Sequence, residues 1–326
     1  MAWEIRQGDA LERLREMSDE SVQCCVTSPP YWMQRDYGVE GQLGMEETPE
    51  EFVANLVEVL AEVRRALRRD GTLWVNLGDS YAGARGGSQG KNGQMADRAA
   101  SLNGSRERSV RRLAPGLKPK DLVGIPWMVA FALRADGWFL RAENIWHKLT
   151  PMPESVQDRT TRSHEQVFLL SRSSRYFYDA DAVRTPLAAK TLTTFGSWRQ
   201  QNGGGELVKA DNWSRDVPDR KPRLGEDGEP AGANLRSVWS FAARPYPAAH
   251  FATFPPDLVE PCILAGAPGG ATVLDPFAGA ATTGVVATRL ERDFIGIELN
   301  SDYVELGRNR IRDDAPLLNT PSEVTA

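Results

Sequence analysis

The chain is poor in the residue types that build metal centres and disulfide frameworks. Its 326 residues include three cysteines (Cys24, Cys25 and Cys262) and three histidines, at positions 147, 164 and 250. Three cysteines cannot form a disulfide framework, and the histidines lack the spacing that a metal site uses. We therefore expect neither structural disulfides nor a bound metal.

Long apolar runs are also missing from the sequence. The longest, residues 126–133, is far shorter than the roughly 20 residues that span a membrane. The N-terminus shows no basic-then-apolar signal pattern. Hydrophobic residues make up 41% of the chain and glycines number 29, which is typical of a globular protein. We expect a folded, cytoplasmic protein without a membrane partner.

Basic residues are outnumbered by acidic ones, and the net charge of −5 disfavours a polyanionic partner if it is evenly spread. The charge is uneven, because residues 82–118 carry eight basic and two acidic side chains. This segment has few large apolar residues, so we interpret it as a mobile basic loop. Its candidate phosphate-binding residues are Arg106, Arg108, Arg111 and Arg112.

Apolar strand patterns alternate with helical patterns along most of the chain. A short strand and an amphipathic helix occupy residues 3–17, and a buried strand covers residues 22–26. A capping box at residues 48–51 starts the next helix, and residues 71–77 form the strand after it. The alternation resumes after residue 122. This order predicts an α/β fold with a mainly parallel sheet.

Two stretches interrupt the alternation. Besides the basic loop at 82–118, residues 183–249 lose periodicity and carry ten basic and seven acidic side chains. We therefore assign residues 1–326 to a single domain with these two insertions. The tryptophans of the second insertion fit either a small local core or contacts with a substrate; they are Trp198, Trp213 and Trp239.

A strand, a tight turn of small residues and a helix start follow one another in residues 273–284. Small residues let a ligand approach the backbone, and a helix N-terminus offers unpaired N–H groups to an anion. The fingerprint G-x-G-x-x-G is absent, so the turn alone is a weak signal. Glu298 ends the next strand 23 residues beyond Asp275, near the ~20-residue spacing at which an acidic side chain binds ribose hydroxyls. Together the two features predict a nucleoside site.

A second turn, T-S-P-P-Y-W at residues 27–32, follows a buried strand and is predicted at the carboxyl edge of the sheet. Its two consecutive prolines end the strand and make the turn rigid. The Ser28 side chain and the Pro29 carbonyl can accept the two protons of an exocyclic amino group, while Tyr31 stacks on the base that bears it. The alternative is a rigid turn with an aromatic plug in the core.

The order of the two turns resembles the β class of amino-group DNA methyltransferases. In that class the catalytic motif, here S-P-P-Y-W at 28–32, precedes the cofactor motif, here D-P-F-A-G-A-A-T-T-G at 275–284, so that the motif order is circularly permuted. Shorter matches are G-D-A at 8–10, G-T-L-W at 71–74, I-W-H-K at 145–148, S-H-E at 163–165 and H-F-A-T-F-P at 250–255. The resemblance covers nearly the whole chain outside the two insertions.

The resemblance implies a Rossmann-like class I methyltransferase fold, with a mainly parallel seven-stranded sheet, one antiparallel strand and helices on both faces. It also implies S-adenosyl-L-methionine as the cofactor and double-stranded DNA as the substrate, with the target base rotated out of the duplex. A homodimer and a cognate restriction endonuclease are further candidate partners. Residues 183–249 become the candidate target-recognition insertion.

The resemblance also assigns roles to individual residues. The cofactor pocket is formed by Asp9, Asp275, Phe277, Gly279, Thr282 and Glu298. The catalytic turn is formed by Ser28, Pro29, Pro30 and Tyr31. Trp32 is a further candidate DNA contact besides the four arginines. His147 and Lys148 follow a predicted strand and are candidate phosphate contacts, with a surface turn as the alternative. Ala281 replaces a glycine that is common in the family, so we expect its β-carbon near the methionine end of the cofactor.

Serine at position 28 resembles the cytosine-N4 members of the class, whereas adenine-N6 members usually carry aspartate there. Adenine stays an alternative target, since serine-bearing members that act on adenine fit the same motif. RNA or a protein glutamine as substrate, and a catalytically silent DNA-binding subunit, are the other hypotheses. A cytosine-C5 enzyme would need a cysteine nucleophile, but Cys262 falls within an apolar helical pattern that indicates a buried thiol.

Overall fold

The structure of the protein is a computed structural model that describes residues 1–34, 39, 41–83, 114–187, 232–242 and 254–314. Four candidate DNA contacts (Arg106, Arg108, Arg111 and Arg112) and two tryptophans (Trp198 and Trp213) lie outside these residues. Within the described ranges, no helix has the length and apolar character needed to cross a membrane. The same ranges contain no cluster of three or more His, Cys, Asp or Glu side chains that could hold a metal ion.

Strands and helices alternate in the order that the sequence predicts. The described strands are β1 (Trp3–Gln7), β2 (Val22–Thr27), β3 (Leu67–Leu77), β4 (Phe139–Lys148), β5 (His164–Ser171), β6 (Val238–Phe241), β7 (Thr272–Asp275) and β8 (Asp293–Glu298). The described helices are α1 (Ala10–Arg15), α2 (Pro49–Ala66), α3 (Ile125–Ala135), α4 (Pro256–Gly266), α5 (Thr282–Arg289) and α6 (Ser301–Asp314).

All described strands join one sheet in the order β1-β8-β7-β2-β3-β5-β4-β6. Strand β5 runs antiparallel to both of its neighbours, and every other pairing is parallel. The α/β fold with a single antiparallel strand is confirmed. The sheet has eight strands instead of the seven expected.

The additional strand is β6, which comes from the region interpreted as an insertion. It pairs in parallel with the end of β4, so that Trp146 lies opposite Trp239. Trp239 is buried and packs against Trp74, with the ring centroids 6.2 Å apart. Burial of this indole attaches the edge strand to the main core, and Trp239 is therefore a core residue.

Helices cover both faces of the sheet. Helices α1, α2 and α3 pack in one group, and α4, α5 and α6 pack in another. The predicted capping box of α2 is confirmed: Thr48 Oγ1 accepts the Glu51 N–H at 3.2 Å, and the Glu51 carboxylate accepts the Thr48 N–H at 3.2 Å. This reciprocal pair satisfies two N–H groups at the start of the helix.

The chain divides into two compact units, residues 1–178 with 237–326 and residues 179–236. In the second unit, the backbones of Thr185 and Ala233 exchange two hydrogen bonds of 2.9 and 2.8 Å. Arg184 donates to the Asp181 carboxylate at 2.7 Å and to the Gly232 carbonyl at 3.1 Å. These contacts join the two ends of the segment.

One edge of the sheet collects the turns that the sequence singled out. The parallel strands β1, β2, β3, β7 and β8 all end there, because parallel neighbours share one direction. The antiparallel strand β5 begins at the same edge, where its register places Glu165 opposite Trp146 of β4. The sheet therefore brings Glu165 close to the turn that follows β2.

Candidate active site

A cavity of about 570 Å³ opens at this edge of the sheet. It is lined by residues 28–31 of the first turn, residues 276–280 of the second turn, and Glu298. Its size lies within the ~300–1,000 Å³ that is usual for a small-molecule site. Both predicted turns thus line a single cavity.

The second turn is shaped by Gly279, whose φ of +51° lies in the left-handed region. Among the described residues, a Cβ atom there would have only the Phe277 carbonyl oxygen within 4 Å, at 4.0 Å, so these residues leave space beside the turn. Such an open glycine turn lets a ligand approach the backbone closely. The turn has the form expected of a cofactor cradle.

Glu298, at the end of β8, lies beside the glycine turn. One carboxylate oxygen accepts the Gly279 N–H at 2.8 Å and the other accepts the Asn300 N–H at 2.8 Å. Burial raises the pKa of Glu298 above its usual value, although the backbone hydrogen bonds oppose the shift. A carboxylate has about four lone-pair sites, so Glu298 keeps capacity to accept a ribose hydroxyl.

Asp275 supports the second turn through hydrogen bonds of its side chain. Its fully buried carboxylate accepts hydrogen bonds from the hydroxyls of Thr27 and Thr283, both at 2.7 Å, and from the Phe277 N–H at 3.1 Å. Burial raises its pKa to about 6, even though the three hydrogen bonds favour the charged form. The prediction that Asp275 lines the cofactor pocket is corrected, because its side chain lies beneath the cavity wall and ties the turn to β2.

Three other predicted cofactor residues do line the cavity, namely Asp9, Phe277 and Thr282. Asp9 caps helix α1 by accepting the Glu12 N–H at 3.0 Å. The hydroxyl of Thr282 accepts a hydrogen bond from Arg310 at 2.9 Å. These contacts fix the side chains in place, and their binding to a cofactor stays a prediction.

Ala281 also requires a correction. Its φ of +56° is left-handed, which is uncommon for a residue with a Cβ atom. The side chain is fully buried, and its Cβ lies 3.0 Å from the position that a Cβ on Gly307 would take. The extra β-carbon therefore contacts helix α6, not the space reserved for the methionine end of the cofactor.

The first turn presents Ser28, Pro29, Pro30 and Tyr31 to the cavity. The ring of Tyr31 lies against Gly78, where a Cβ atom would come within 2.4 Å of the ring carbon Cε2. Ser28 Oγ donates to Tyr31 Oη at 3.4 Å and accepts from Asn76 Nδ2 at 3.5 Å. The turn is thus positioned by the end of β3.

Glu165 anchors the hydroxyl of Tyr31. Its Oε2 accepts from Tyr31 Oη at 2.7 Å and from Asn76 Nδ2 at 2.9 Å, while its Oε1 pairs with the Lys148 ammonium. Burial opposes ionisation of Glu165, but the Lys148 charge and the three hydrogen bonds outweigh it and hold its pKa below the usual value. Lys148 also lies over the Trp146 ring, 4.8 Å from its centroid.

The candidate DNA contacts occupy different environments. Trp32 is buried in the core, 8% exposed, and its indole N–H donates to the Glu46 carbonyl at 3.0 Å, so its assignment to DNA is corrected. Lys148 lines the cavity and pairs with Glu165, and its contact with DNA stays a prediction. His147 Nδ1 lies 3.1 Å from the Ser240 hydroxyl, and its contact with DNA stays a prediction.

Sequence reasoning assigned no role to Asn76 or to Glu165, although the motif S-H-E at 163–165 contains the latter. Asn76 is a polar residue near the end of the buried half of β3, and Glu165 is a charged residue near the start of β5. Both are signals of a site at the carboxyl edge. Their convergence on Tyr31 depends on the antiparallel pairing of β3 with β5, which no local pattern reveals.

The cysteine required by a C5 mechanism is not in the cavity wall. Cys262 is buried inside α4, and its thiol donates to the Leu258 carbonyl at 3.3 Å. Burial raises the pKa of this thiol well above its ordinary value, so the thiol stays protonated. The interpretation of Cys262 as a structural thiol is confirmed.

Sequence comparison identifies relatives along nearly the whole chain. A family model described as a DNA methylase of the N6/N4 type matches residues 22–309. The Type II methyltransferase M.Cfr9I of Citrobacter freundii is 42% identical over 309 residues, which cover 94% of this chain and 87% of that protein. The Type II methyltransferase M.SmaI of Serratia marcescens is 42% identical over 305 residues, covering 93% and 89%.

Solved structures share the fold. PvuII DNA methyltransferase, titled cytosine-N4-specific, superposes with a TM-score of 0.61 at 18% identity, covering 96% of this chain and 91% of that one. A DNA modification methylase of Thermus thermophilus, complexed with S-adenosyl-L-methionine, gives 0.57 at 23% identity, covering 97% of each. The chain belongs to the N6/N4 DNA methylase family of S-adenosyl-L-methionine-dependent enzymes.

Proposed function

We propose that the protein transfers a methyl group from S-adenosyl-L-methionine to the N4 amino group of cytosine in duplex DNA, with the target base rotated out of the helix. The observation that carries the proposal is that the acceptor turn 28–31 and Glu298 line the same cavity. One cavity can therefore hold a nucleoside at Glu298 and an amine at Ser28.

The residues around Gly279 fit the cofactor. The described residues leave space beside the glycine turn, and the Glu298 carboxylate keeps acceptor capacity for ribose hydroxyls. We assign cofactor binding to Asp9, Phe277, Gly279, Thr282 and Glu298, with Asp275 supporting the turn. When bound, the cofactor supplies an electrophilic methyl group on a sulfonium.

The first turn holds the amine that receives the methyl group. Ser28 Oγ and the Pro29 carbonyl accept its two N–H groups, so that the nitrogen lone pair stays available for attack. Stacking of the base on Tyr31 contributes roughly 1–3 kcal/mol, which offsets part of the few kcal/mol needed for base rotation. No covalent intermediate with the protein is required.

Serine at position 28 supports cytosine as the target base. Its hydroxyl is neutral and is held by Asn76 and Tyr31, whereas adenine-N6 members of the class that the sequence resembles usually carry aspartate at this position. Adenine N6 is the competing target, because a serine hydroxyl accepts a hydrogen bond from either amine.

The target is identified by digesting methylated DNA to nucleosides, followed by mass spectrometry. Incubation of unmethylated duplex DNA with labelled S-adenosyl-L-methionine should produce 4-methylcytosine. Label in 6-methyladenine would overturn the choice of base, and unlabelled DNA would overturn the activity. The Cys262→Ser variant is the control, and it should form the same product because Cys262 lies outside the cavity wall.

We further propose that the basic segment 82–118 binds DNA phosphates. Each phosphate contact contributes about −0.9 to the slope of log affinity against log salt, so changing Arg106, Arg108, Arg111 and Arg112 to Gln should flatten the slope by up to about 3–4 units. The recognition sequence should not change, because phosphate contacts position the protein and base contacts specify the site.

Arg68→Gln with Arg69→Gln is the matched control for this experiment. Both arginines are exposed at the start of β3, the end opposite the cavity, so their removal should leave the salt slope unchanged. An unchanged slope in the quadruple variant would refute the role of the segment, and an altered recognition sequence would show that it reads bases.

Three sequence-based predictions stay predictions: recognition of the target by residues 183–249, a homodimer, and a cognate restriction endonuclease as partner.

A further inference from the structure

We propose that Glu165 is the terminal acceptor of the proton that the target amine releases, and that Ser28 and Tyr31 relay this proton to it. The inference rests on the proposed function, because it requires an exocyclic amine at Ser28. It assigns a chemical role to a carboxylate, 12% exposed, to which the proposed function gives none.

The hydrogen bonds run in one direction from Ser28 to Glu165. Ser28 Oγ donates to Tyr31 Oη at 3.4 Å, and Tyr31 Oη donates to Glu165 Oε2 at 2.7 Å. Asn76 Nδ2 also donates to Tyr31 Oη, at 2.8 Å. Because the phenol oxygen accepts from Asn76, its single proton is directed at the carboxylate, which can only accept.

The acceptor is fixed and shielded from solvent. The Glu165 side chain is 12% exposed and the Lys148 side chain 25% exposed. Lys148 is held between Glu165 and the face of Trp146, and Asn76 is buried. Glu165 therefore offers the released proton a fixed acceptor within the protein, next to the turn that holds the amine.

The transfer balances as a chain of three proton steps. An amine that has gained a methyl group carries a positive charge until one of its N–H bonds breaks. That proton moves to Ser28 Oγ, the Ser28 proton moves to Tyr31 Oη, and the Tyr31 proton moves to Glu165. The amine becomes neutral and Glu165 becomes a neutral carboxylic acid, which returns its proton to water after the product leaves.

The charged surroundings keep Glu165 ready to accept. From β4 it faces the Lys148 ammonium, from the turn after β2 it faces Tyr31, and from β3 it faces the non-titrating Asn76. Its neighbour on β5, His164, is exposed. The Lys148 charge holds the pKa of Glu165 below its usual value, so the carboxylate is ionised at neutral pH.

The relay is tested by removing one link while keeping the aromatic ring. Tyr31→Phe and Glu165→Gln should each lower the single-turnover rate of methylation about 100-fold, in line with the loss of a proton-transfer group. Cofactor affinity, measured by calorimetry, should stay within about twofold. The double variant should be no slower than either single variant, because both changes break one chain.

The Lys148→Met variant distinguishes the relay from a purely structural role of Glu165. Removing the cation should raise the pKa of Glu165, which 13C NMR of the labelled carboxyl can follow without DNA or cofactor. The acid limb of the single-turnover pH profile should move to higher pH by the same amount. Lys148→Met with Glu165→Gln controls for an unpaired buried charge, and it should be as slow as Glu165→Gln.

The outcomes distinguish the relay from the proposed function. A wild-type enzyme that methylates cytosine, together with a Tyr31→Phe variant within threefold of its rate, would overturn the relay alone. The relay would also be overturned if the rate losses of the two single changes added up in the double variant. It would be overturned too if Lys148→Met did not shift the acid limb of the pH profile. A wild-type enzyme that methylates no DNA would overturn the proposed function and the relay with it.

Discussion

Two carboxylates support the two turns of the cavity, and their surroundings shift their pKa values in opposite directions. Asp275 lies under the cofactor turn, residues 276–280, which we propose to bind the cofactor. It receives three hydrogen bonds from neutral donors, yet burial, together with the nearby Glu298 charge, raises its pKa to about 6. Glu165, beside the acceptor turn, is 12% exposed, but the adjacent Lys148 ammonium helps to hold its pKa below the usual value. The comparison teaches that neutral donors alone do not compensate for desolvation here, whereas an adjacent cation does.

This difference suits the two turns to different tasks. The cofactor turn needs a rigid support, which Asp275 provides through Thr27, Thr283 and the Phe277 backbone. In the proposed relay, the acceptor turn needs an ionised group at neutral pH, which Lys148 secures for Glu165. Variants at each turn should therefore affect different measurements.

The largest effect is expected from removing the acceptor turn's side chains. Ser28→Ala with Tyr31→Ala should reduce the methylation rate by ~10³-fold or more, because the amine loses an acceptor, its stacking partner and the proton path. Affinity for S-adenosyl-L-methionine, measured by calorimetry, should stay near that of the parent. Substantial turnover by this double variant would refute the assignment of the turn.

The pH dependence of stability should separate the two carboxylates. Since the folded pKa of Asp275 is raised from 3.8 to about 6, its contribution is present below pH ~4 and is lost as the pH rises through about 6. For Glu165 the folded pKa is lowered from 4.5, so its contribution is present above pH ~4.5 and is lost as the pH falls through the folded value.

Denaturant unfolding across pH 3–8 tests these two signs. Relative to the parent, Asp275→Asn should remove a decline in stability of up to about 3 kcal/mol between pH 4 and 6, at about 1.4 kcal/mol per pKa unit. Glu165→Gln should remove a loss that appears only under more acidic conditions. If Asp275→Asn and Glu165→Gln changed the pH profile of stability in the same way, the proposed contrast between the two carboxylates would be wrong.

A smaller effect is expected from the ribose site. Glu298→Ala should weaken cofactor binding by roughly 10- to 50-fold, or about 1.4–2.3 kcal/mol, because a charge-assisted acceptor of ribose hydroxyls is lost. Circular dichroism should show an unchanged fold. Glu305→Ala, an exposed glutamate on α6, is the control and should bind the cofactor normally. Parent-like affinity in Glu298→Ala would refute the nucleoside site.

The smallest effect is expected at Ala281. Changing it to Gly removes the strain of a left-handed conformation, which costs an alanine roughly 1–2 kcal/mol of stability. The change also increases the backbone entropy lost on folding, which costs about 0.5–1 kcal/mol. Thermal unfolding should therefore show a gain of about 1 kcal/mol or less. Cofactor affinity should be unchanged, since the Ala281 Cβ faces Gly307. A severalfold change in affinity would place that Cβ beside the cofactor after all.

The alternation of strands and helices was predictable because buried strands and amphipathic helices carry local patterns. The capping box at Thr48 and the two turns at the sheet edge belong to the same class of signal. The edge strand β6 was not predictable, because its four residues acquire order by pairing with β4. The predicted contact of Trp32 with DNA was wrong for a related reason: its local sequence does not show that the core encloses it.

The roles of Glu165 and Lys148 could not be predicted from spacing. The two residues are 17 positions apart, and they meet only because β4 and β5 pair in one register. Asn76 reaches the same point from β3, which lies on the other side of β5. Sites assembled from several strands depend on sheet topology, whereas sites built on a single turn can be recognised from the sequence.

The most direct test of the account is a crystal structure of the enzyme with duplex DNA and an unreactive analogue of S-adenosyl-L-methionine. We predict that the ribose hydroxyls contact Glu298, and that the N4 nitrogen of a rotated cytosine lies ~2.7–3.2 Å from Ser28 Oγ and from the Pro29 carbonyl oxygen. An analogue bound away from Glu298, or a rotated base whose amine lies beyond hydrogen-bonding distance of Ser28, would contradict the account.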